Sequence, residues 1–223
     1  MTPEINYDLV FCVDISSTMG TKFQCIKDTV QKIIKGTAEV SPYYYSSIQI
    51  RAKIITYGDI GERVPIEQGE FYNLEDSYEQ FMNCFDNLRA VGKSTLSNSL
   101  EALAVAIRDV DWTHGGLRRR HVIFIFTDKP ALRLSQRVYS KIYPKDMPKN
   151  LEELGAWWEG CDSRMSSAFS WRSGRLITIA PNTYPWENIA PWNRYWPVFT
   201  DPGKPMTDVE ISMLLDVYVA DDL

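Results

Sequence analysis

Two stretches of this chain are apolar without alternation, Leu9-Val10-Phe11-Cys12-Val13 and Val122-Ile123-Phe124-Ile125-Phe126, and Leu176-Ile177-Thr178-Ile179-Ala180 is nearly so. Successive strand residues point to opposite faces, so an unbroken apolar run predicts a strand covered on both, as at the centre of a parallel sheet. Between the runs the period changes. Met19, Phe23, Ile26, Val30 and Ile33 recur at helical spacing, with Gly36 as the expected stop. Ile48, Ile50, Ala52 and Ile54 alternate with Gln49, Arg51 and Lys53, which predicts a half-covered strand near a sheet edge, with Val64 and Ile66 as a short hairpin partner. Leu74 to Leu88 predicts a helix with Tyr78, Phe81, Met82 and Phe85 inward. Leu96, Leu100, Leu103, Ala104 and Ile107 predict another. Trp196 to Phe199 reads as a last short strand, and Thr207 to Val219 as a final helix opened by a Thr207/Glu210 capping box.

Strands alternating with helices predict an α/β fold: a doubly wound, mostly parallel central sheet with helices on both faces. Pro144 to Lys149 is the clearest loop and is too short for a linker, so residues 1–223 read as one domain. Composition changes this picture little. Hydrophobic residues make up 44% and charged residues 24%, which excludes disordered and coiled-coil classes. The net charge of −5 gives no bulk attraction for nucleic acid or an anionic membrane. No apolar run approaches the ~20 residues of a membrane span, and Asp14 interrupts the first one too early for a signal sequence. Cys12, Cys25, Cys84 and Cys161 form no CxxC pair. A cytoplasmic, reduced protein is the expectation.

The chemistry gathers at two strand ends. The first central strand runs into Asp14-Ile15-Ser16-Ser17-Thr18 and the second into Thr127-Asp128. In open α/β sheets ligands bind beyond the carboxyl ends of the strands. If the two strands are neighbours, Asp14 and Asp128 converge there, stable only with a cation between them or with one protonated. Carboxylates and hydroxyls without Cys or His suit magnesium best, with manganese or calcium possible. His114 and His121 lie outside these loops, which argues against zinc.

At these residues the sequence resembles the von Willebrand factor A family. That family's metal-ion-dependent adhesion site reads Asp-x-Ser-x-Ser after the first strand, Gly-x-Thr before a helix, and Thr-Asp-Gly after the fourth strand. Asp14, Ser16 and Thr18 match the first element. Gly92-Lys93-Ser94 matches the second, with Ser94 at the threonine position and Thr95 as the ligand if the register shifts by one. Thr127-Asp128 matches the third, with Lys129 in place of glycine. An ammonium there repels a cation unless the long side chain turns away, or the amine stands in for the metal. The resemblance implies a non-enzymatic interaction module in which Asp14, Ser16, Thr18, Ser94 or Thr95, and Asp128 surround a divalent cation. A partner protein's Asp or Glu completes its shell. Within the family the chain looks like compact bacterial stand-alone members similar to the tellurite-resistance-associated TerY proteins, on the Phe126 to Ala131 string.

Other readings stay beside this one. Asn87 to Ser94 falls one glycine short of a P-loop and follows a helical pattern rather than a strand. A phosphohydrolase or nucleotide-dependent enzyme could use the same carboxylates, although Ser16 stands where a dehalogenase-type second Asp belongs. Arg118-Arg119-Arg120 reads as a solvated loop before a strand or as a phosphate patch. Six of seven tryptophans lie at or after Trp157. Trp157 and Trp158 are adjacent and cannot both face one core, so one is exposed or covered by the following loop. Trp186, Trp192 and Trp196 sit among Pro181, Pro185, Pro191 and Pro197. They either pin irregular loops or form a partner surface, the latter giving a metal-free scaffold.

Overall fold

The computed structural model describes residues 4–136, 140–161 and 169–220. In chain order the elements are β1 (Ile5–Asp14), α1 (Phe23–Val40), β2 (Ile48–Tyr57), β3 (Glu67–Gln68), β4 (Tyr72–Asn73), α2 (Leu74–Asp86), α3 (Ser99–Asp109), β5 (Arg118–Phe126), α4 (Leu151–Trp158), β6 (Gly174–Ala180), β7 (Tyr195–Phe199) and α5 (Asp208–Leu215), with a π-helical turn over Asp216–Ala220. One sheet runs β3-β2-β1-β5-β6-β7. The strands from β2 to β7 along that path pair in parallel, and only the two-residue β3 and β4 run antiparallel, both against β2.

The three apolar runs are β1, β5 and β6, and every residue of β1 and β6 is buried. Alternation along β1 sorts its side chains into two cores. Tyr7, Leu9, Phe11 and Val13 face α1, α2 and α5, while Val10 and Cys12 face α3 and α4. The half-covered strand is β2, one place from the edge. Its antiparallel partner falls at Glu67–Gln68 rather than at Val64 and Ile66, because Val64 is buried behind a short 3-10 turn over Ile60–Glu62. Gly36 does not stop α1 but lies inside it. A Cβ there would collide with Leu215 of α5, so the glycine lets the two helices approach. The Thr207 capping box forms as expected, with Glu210 N–H donating to Thr207 Oγ1 at 3.2 Å and Thr207 N–H to Glu210 Oε2 at 2.7 Å. No helix of the described residues is long and apolar enough to cross a membrane.

Candidate functional site

Neighbouring β1 and β5 bring the two acid-tipped strand ends side by side, as expected. The loop after β1 makes a single parallel bridge, Ser16 with Val91, so the segment before α3 lies against it. Gly92 takes a φ of +77°, a left-handed conformation that suits glycine. The next two N–H groups turn toward Glu62: Lys93 N–H and Ser94 N–H both donate to Glu62 Oε2, at 2.5 and 3.0 Å. All the expected oxygens therefore sit on the loops at the carboxyl ends of the strands, with Thr95 exposed.

The carboxylates do not meet across a cation. Asp14 is fully buried. Its Oδ1 accepts from Ser16 N–H at 2.8 Å and its Oδ2 from Thr127 Oγ1 at 2.7 Å. Asp128 turns the other way: Oδ1 accepts from Thr18 Oγ1 at 2.9 Å and Oδ2 from the Lys22 ammonium at 2.8 Å. Lys22 also reaches the Asp201 carboxylate at 3.0 Å. Burial pulls the Lys22 ammonium down, but hydrogen bonds and charge from Asp128 and Asp201 outweigh it and leave its pKa above the ordinary range. Lys129 turns inward as well. It is almost wholly buried and its Nζ donates to the Ser94 carbonyl. Ser94 Oγ accepts from Leu96 N–H at 3.2 Å, and Ser16 Oγ is buried without a hydrogen-bond partner among the described residues.

This arrangement corrects the metal-dependent reading. Among the described residues no group of three or more His, Cys, Asp or Glu side chains could hold a metal ion. The physical reason is the pair of ammonium groups. Lys22 neutralises Asp128 from within the fold, and Lys129 holds a fixed positive charge beside Ser94, so a dication entering here meets like charge. Of the oxygen set Asp14, Ser16, Thr18, Ser94, Thr95 and Asp128 along this crest, Asp128 and the Ser94 carbonyl are thus held by the protein's own ammonium groups, and Asp14 by Ser16 N–H and Thr127 Oγ1. A partner carboxylate bridged by magnesium is not its mode of binding. The sequence reading missed Lys22, Asp201 and Glu62. Lys22 stands four residues after Thr18, one helical turn on, and that spacing was the available signal.

One prediction separates these roles for Asp14. Burial raises its carboxyl above the usual range, against hydrogen bonds from Ser16 and Thr127 and the charge of Lys129, which lower it. An acid with a raised folded pKa is destabilising when ionised: stability falls as pH climbs from the unfolded value through the folded one, and the penalty persists above it. Asp14→Asn keeps an oxygen for Ser16 N–H, and its amide can donate to Thr127 Oγ1. Thr127 can then turn its own proton toward the Lys129 carbonyl, 3.5 Å away. The Asn variant is expected to equal or exceed wild type in urea-unfolding free energy at pH 7. A loss above about 1 kcal/mol, the size of one hydrogen bond, would refute this account.

The second candidate is the aromatic half. Trp112, Trp157, Trp158 and Trp186 are all buried. The adjacent pair, Trp157 and Trp158, both enter the same core, against the expectation that they could not, so neither is exposed. Trp158 lies under Phe169 at 5.4 Å between ring centroids, with its indole N–H on the Asn193 carbonyl at 2.7 Å. Trp157 has the Arg108 guanidinium over its ring at 5.6 Å. Trp171 differs. It is 38% exposed, and the guanidinium groups of Arg172 and Arg194 lie 5.2 and 5.1 Å from its ring centre. Arg194 is tied to Glu159 at 3.2 Å. A partly exposed tryptophan edged by arginines has the make-up of interface hot spots. Sequence reading did not single out Trp171, because nothing local distinguishes it from its buried neighbours.

A model of the von Willebrand factor type A domain matches residues 8–143, more than half of the chain. No curated protein matches the sequence. Among solved structures, the SpRpn10 VWA domain aligns over 95% of this chain and 96% of its own, with a TM-score of 0.54 and 14% identity. Proximal thread matrix protein 1 from the mussel byssus aligns over 98% of this chain with a TM-score of 0.52 and 11% identity. The chain spans about half of that protein, 48% of its length. At these identities the structural likeness speaks to fold alone.

Proposed function

The chain belongs to the von Willebrand factor type A domain family, and from that premise we propose that it is a non-enzymatic protein-binding domain that holds its partner without a metal ion, through its aromatic C-terminal half. The observation that carries this reading is Trp171, partly exposed, with the guanidinium groups of Arg172 and Arg194 over its ring and Gly160 close beneath its side chain. The Arg194–Glu159 ion pair and the close approach of Gly160 restrict the ring, so little conformational freedom is lost when a partner covers it. The crest supports the reading from the other side. Its carboxylates are engaged by Lys22, Thr18, Thr127 and the Ser16 N–H, which leaves neither as a free nucleophile or base. Placement in the TerY branch is a further proposal, resting on the Phe126 to Ala131 string alone.

The test is capture of partners from the native cell by immobilised wild-type protein and by Trp171→Ala, each with and without chelator. The same partners are expected with chelator present, and their loss is expected with Trp171→Ala. Loss on chelation, or full retention by the variant, would overturn the proposal.

A further inference from the structure

We propose that an arginine groove at the amino-terminal edge of the sheet is the docking site for an acidic peptide segment of a partner protein. The inference rests on the metal-free binding reading above and names the surface and the chemistry of the partner. The groove encloses about 340 Å³ and is lined by Leu117, Arg118, Arg119, Ser170, Arg172 and Ser173. It lies at the pole opposite the crest, where β5 begins rather than where it ends.

Among the described residues its three accessible guanidinium groups lack acidic partners. Arg118 lies over the Tyr45 ring at 5.6 Å, Arg172 over Trp171 at 5.2 Å, and Arg119 donates to the His114 carbonyl. None of the three forms an ion pair among the described residues. Seven other cations, Lys22, Lys27, Lys32, Lys35, Arg51, Arg108 and Arg194, each face a carboxylate, whereas these three arginines share one groove. Glu4 acts on Arg118 only across a distance, since its carboxylate accepts from Ser46 N–H and Oγ at 2.8 Å each. In a chain of net charge −5, three guanidinium groups without an ion pair among the described residues thus meet in one groove. Stacking of Arg118 and Arg172 on aromatic rings holds the planar forks in place for bidentate carboxylate recognition.

Two exposed apolar side chains give the groove its second requirement. Leu117 is 81% exposed and Trp171, next to Arg172, is 38% exposed. A peptide with acidic residues for the guanidinium groups and an apolar residue for Leu117 or Trp171 satisfies both. A nucleic acid satisfies only the first, and its long polyanion is repelled by the remaining acidic surface.

The test uses the full chain and a fluorescein-labelled octapeptide of alternating glutamate and leucine, read by fluorescence anisotropy. Saturable binding is expected, weakened by salt and indifferent to chelator or magnesium. The triple variant Arg118→Gln, Arg119→Gln, Arg172→Gln is expected to lose about tenfold or more in affinity while melting as wild type does. Lys93→Gln with Lys204→Gln, remote from the groove, is expected to bind as wild type. If the triple variant does not fold, Arg118→Gln and Arg172→Gln are measured singly, each with an expected loss of severalfold. The groove assignment is overturned by no binding up to millimolar peptide, by equal affinity in the arginine variants, by equal binding of a lysine–leucine twin peptide, or by tighter binding of an octathymidylate. Peptide binding that requires magnesium overturns instead the metal-free reading on which the assignment rests.

Discussion

Trp158→Ala is expected to lower the free energy of unfolding by about 3–5 kcal/mol, the range for removing a large aromatic side chain from a packed core. Trp158 is completely buried at the end of α4. Its indole N–H is satisfied by the Asn193 carbonyl, and its ring tilts against Phe169, which in turn meets Trp112 at 5.7 Å between centroids. Gly174 at the start of β6 makes room for this layer, since a Cβ there would come within 3.2 Å of Trp158 Cη2 and closer still to Phe169. Truncation therefore removes the ring's contacts and leaves a cavity between α4 and the sheet. It also strands a carbonyl. Trp171→Ala is the matched comparison, because that ring is partly solvated and an exposed substitution costs about 0.5 kcal/mol or less. Urea unfolding of both variants separates the tryptophan that builds the domain from the one proposed to bind. Equal losses would mean that Trp171 is structural too, and would remove the basis for a rigid, exposed anchor.

The architecture was legible in the sequence because it rests on period. Apolar runs gave β1, β5 and β6 and helical spacing gave α1, α2 and α3, and these are properties of consecutive residues. What failed depends on residues far apart. Gly36 has the chemistry of a helix stop, yet its contact is Leu215, nearly the whole chain away. The crest failed in the same manner. The motif placed Asp14, Ser16, Thr18 and Asp128 on adjacent loops correctly, but their charge balance is set by Lys22, delivered where α1 begins, and by Asp201 beyond β7. Oxygens in the right order say where a cation could sit, not whether an ammonium has taken that position. Tryptophan burial was illegible for a further reason. A ring's exposure is decided by what the loops after α4 and β6 lay over it, and those loops carry no periodic signal.

Acidification is the second large effect, and it centres on His121. Lowering the pH from 7 to 4 is expected to cost about 3 kcal/mol through this residue, from a folded pKa near 4 against the ordinary 6.5. Burial is the main cause, opposed by the Asp8 carboxylate and the Thr113 carbonyl and reinforced by the charges of Arg119 and Arg51. The surroundings also select the tautomer. Ser170 N–H donates to Nδ1 at 3.3 Å, so Nε2 carries the proton and faces the Thr113 carbonyl at 3.2 Å, while the ring stacks on Trp112 at 4.7 Å. Asp8, its register neighbour on β1, favours a second proton by charge alone and offers it no hydrogen bond. Both its oxygens are taken by Arg51 at 2.9 Å and by Thr113 N–H and Oγ1 at 2.6 and 3.0 Å. The sign follows: between pH 6.5 and 4 the unfolded chain binds a proton that the folded chain refuses, so stability rises with pH across that window and is lost on acidification. His121→Gln can accept from Ser170 N–H and donate to the Thr113 carbonyl but does not titrate. Its unfolding free energy, measured in urea at pH 7, 5.5 and 4, is expected to change less than that of wild type by about 3 kcal/mol over the range. Carboxylates such as Asp14 contribute equally to both proteins and cancel in the difference. Parallel pH profiles for the two proteins would show that His121 accepts its proton in the folded state, and that the stacked layer of Trp112, His121 and Phe169 admits charge.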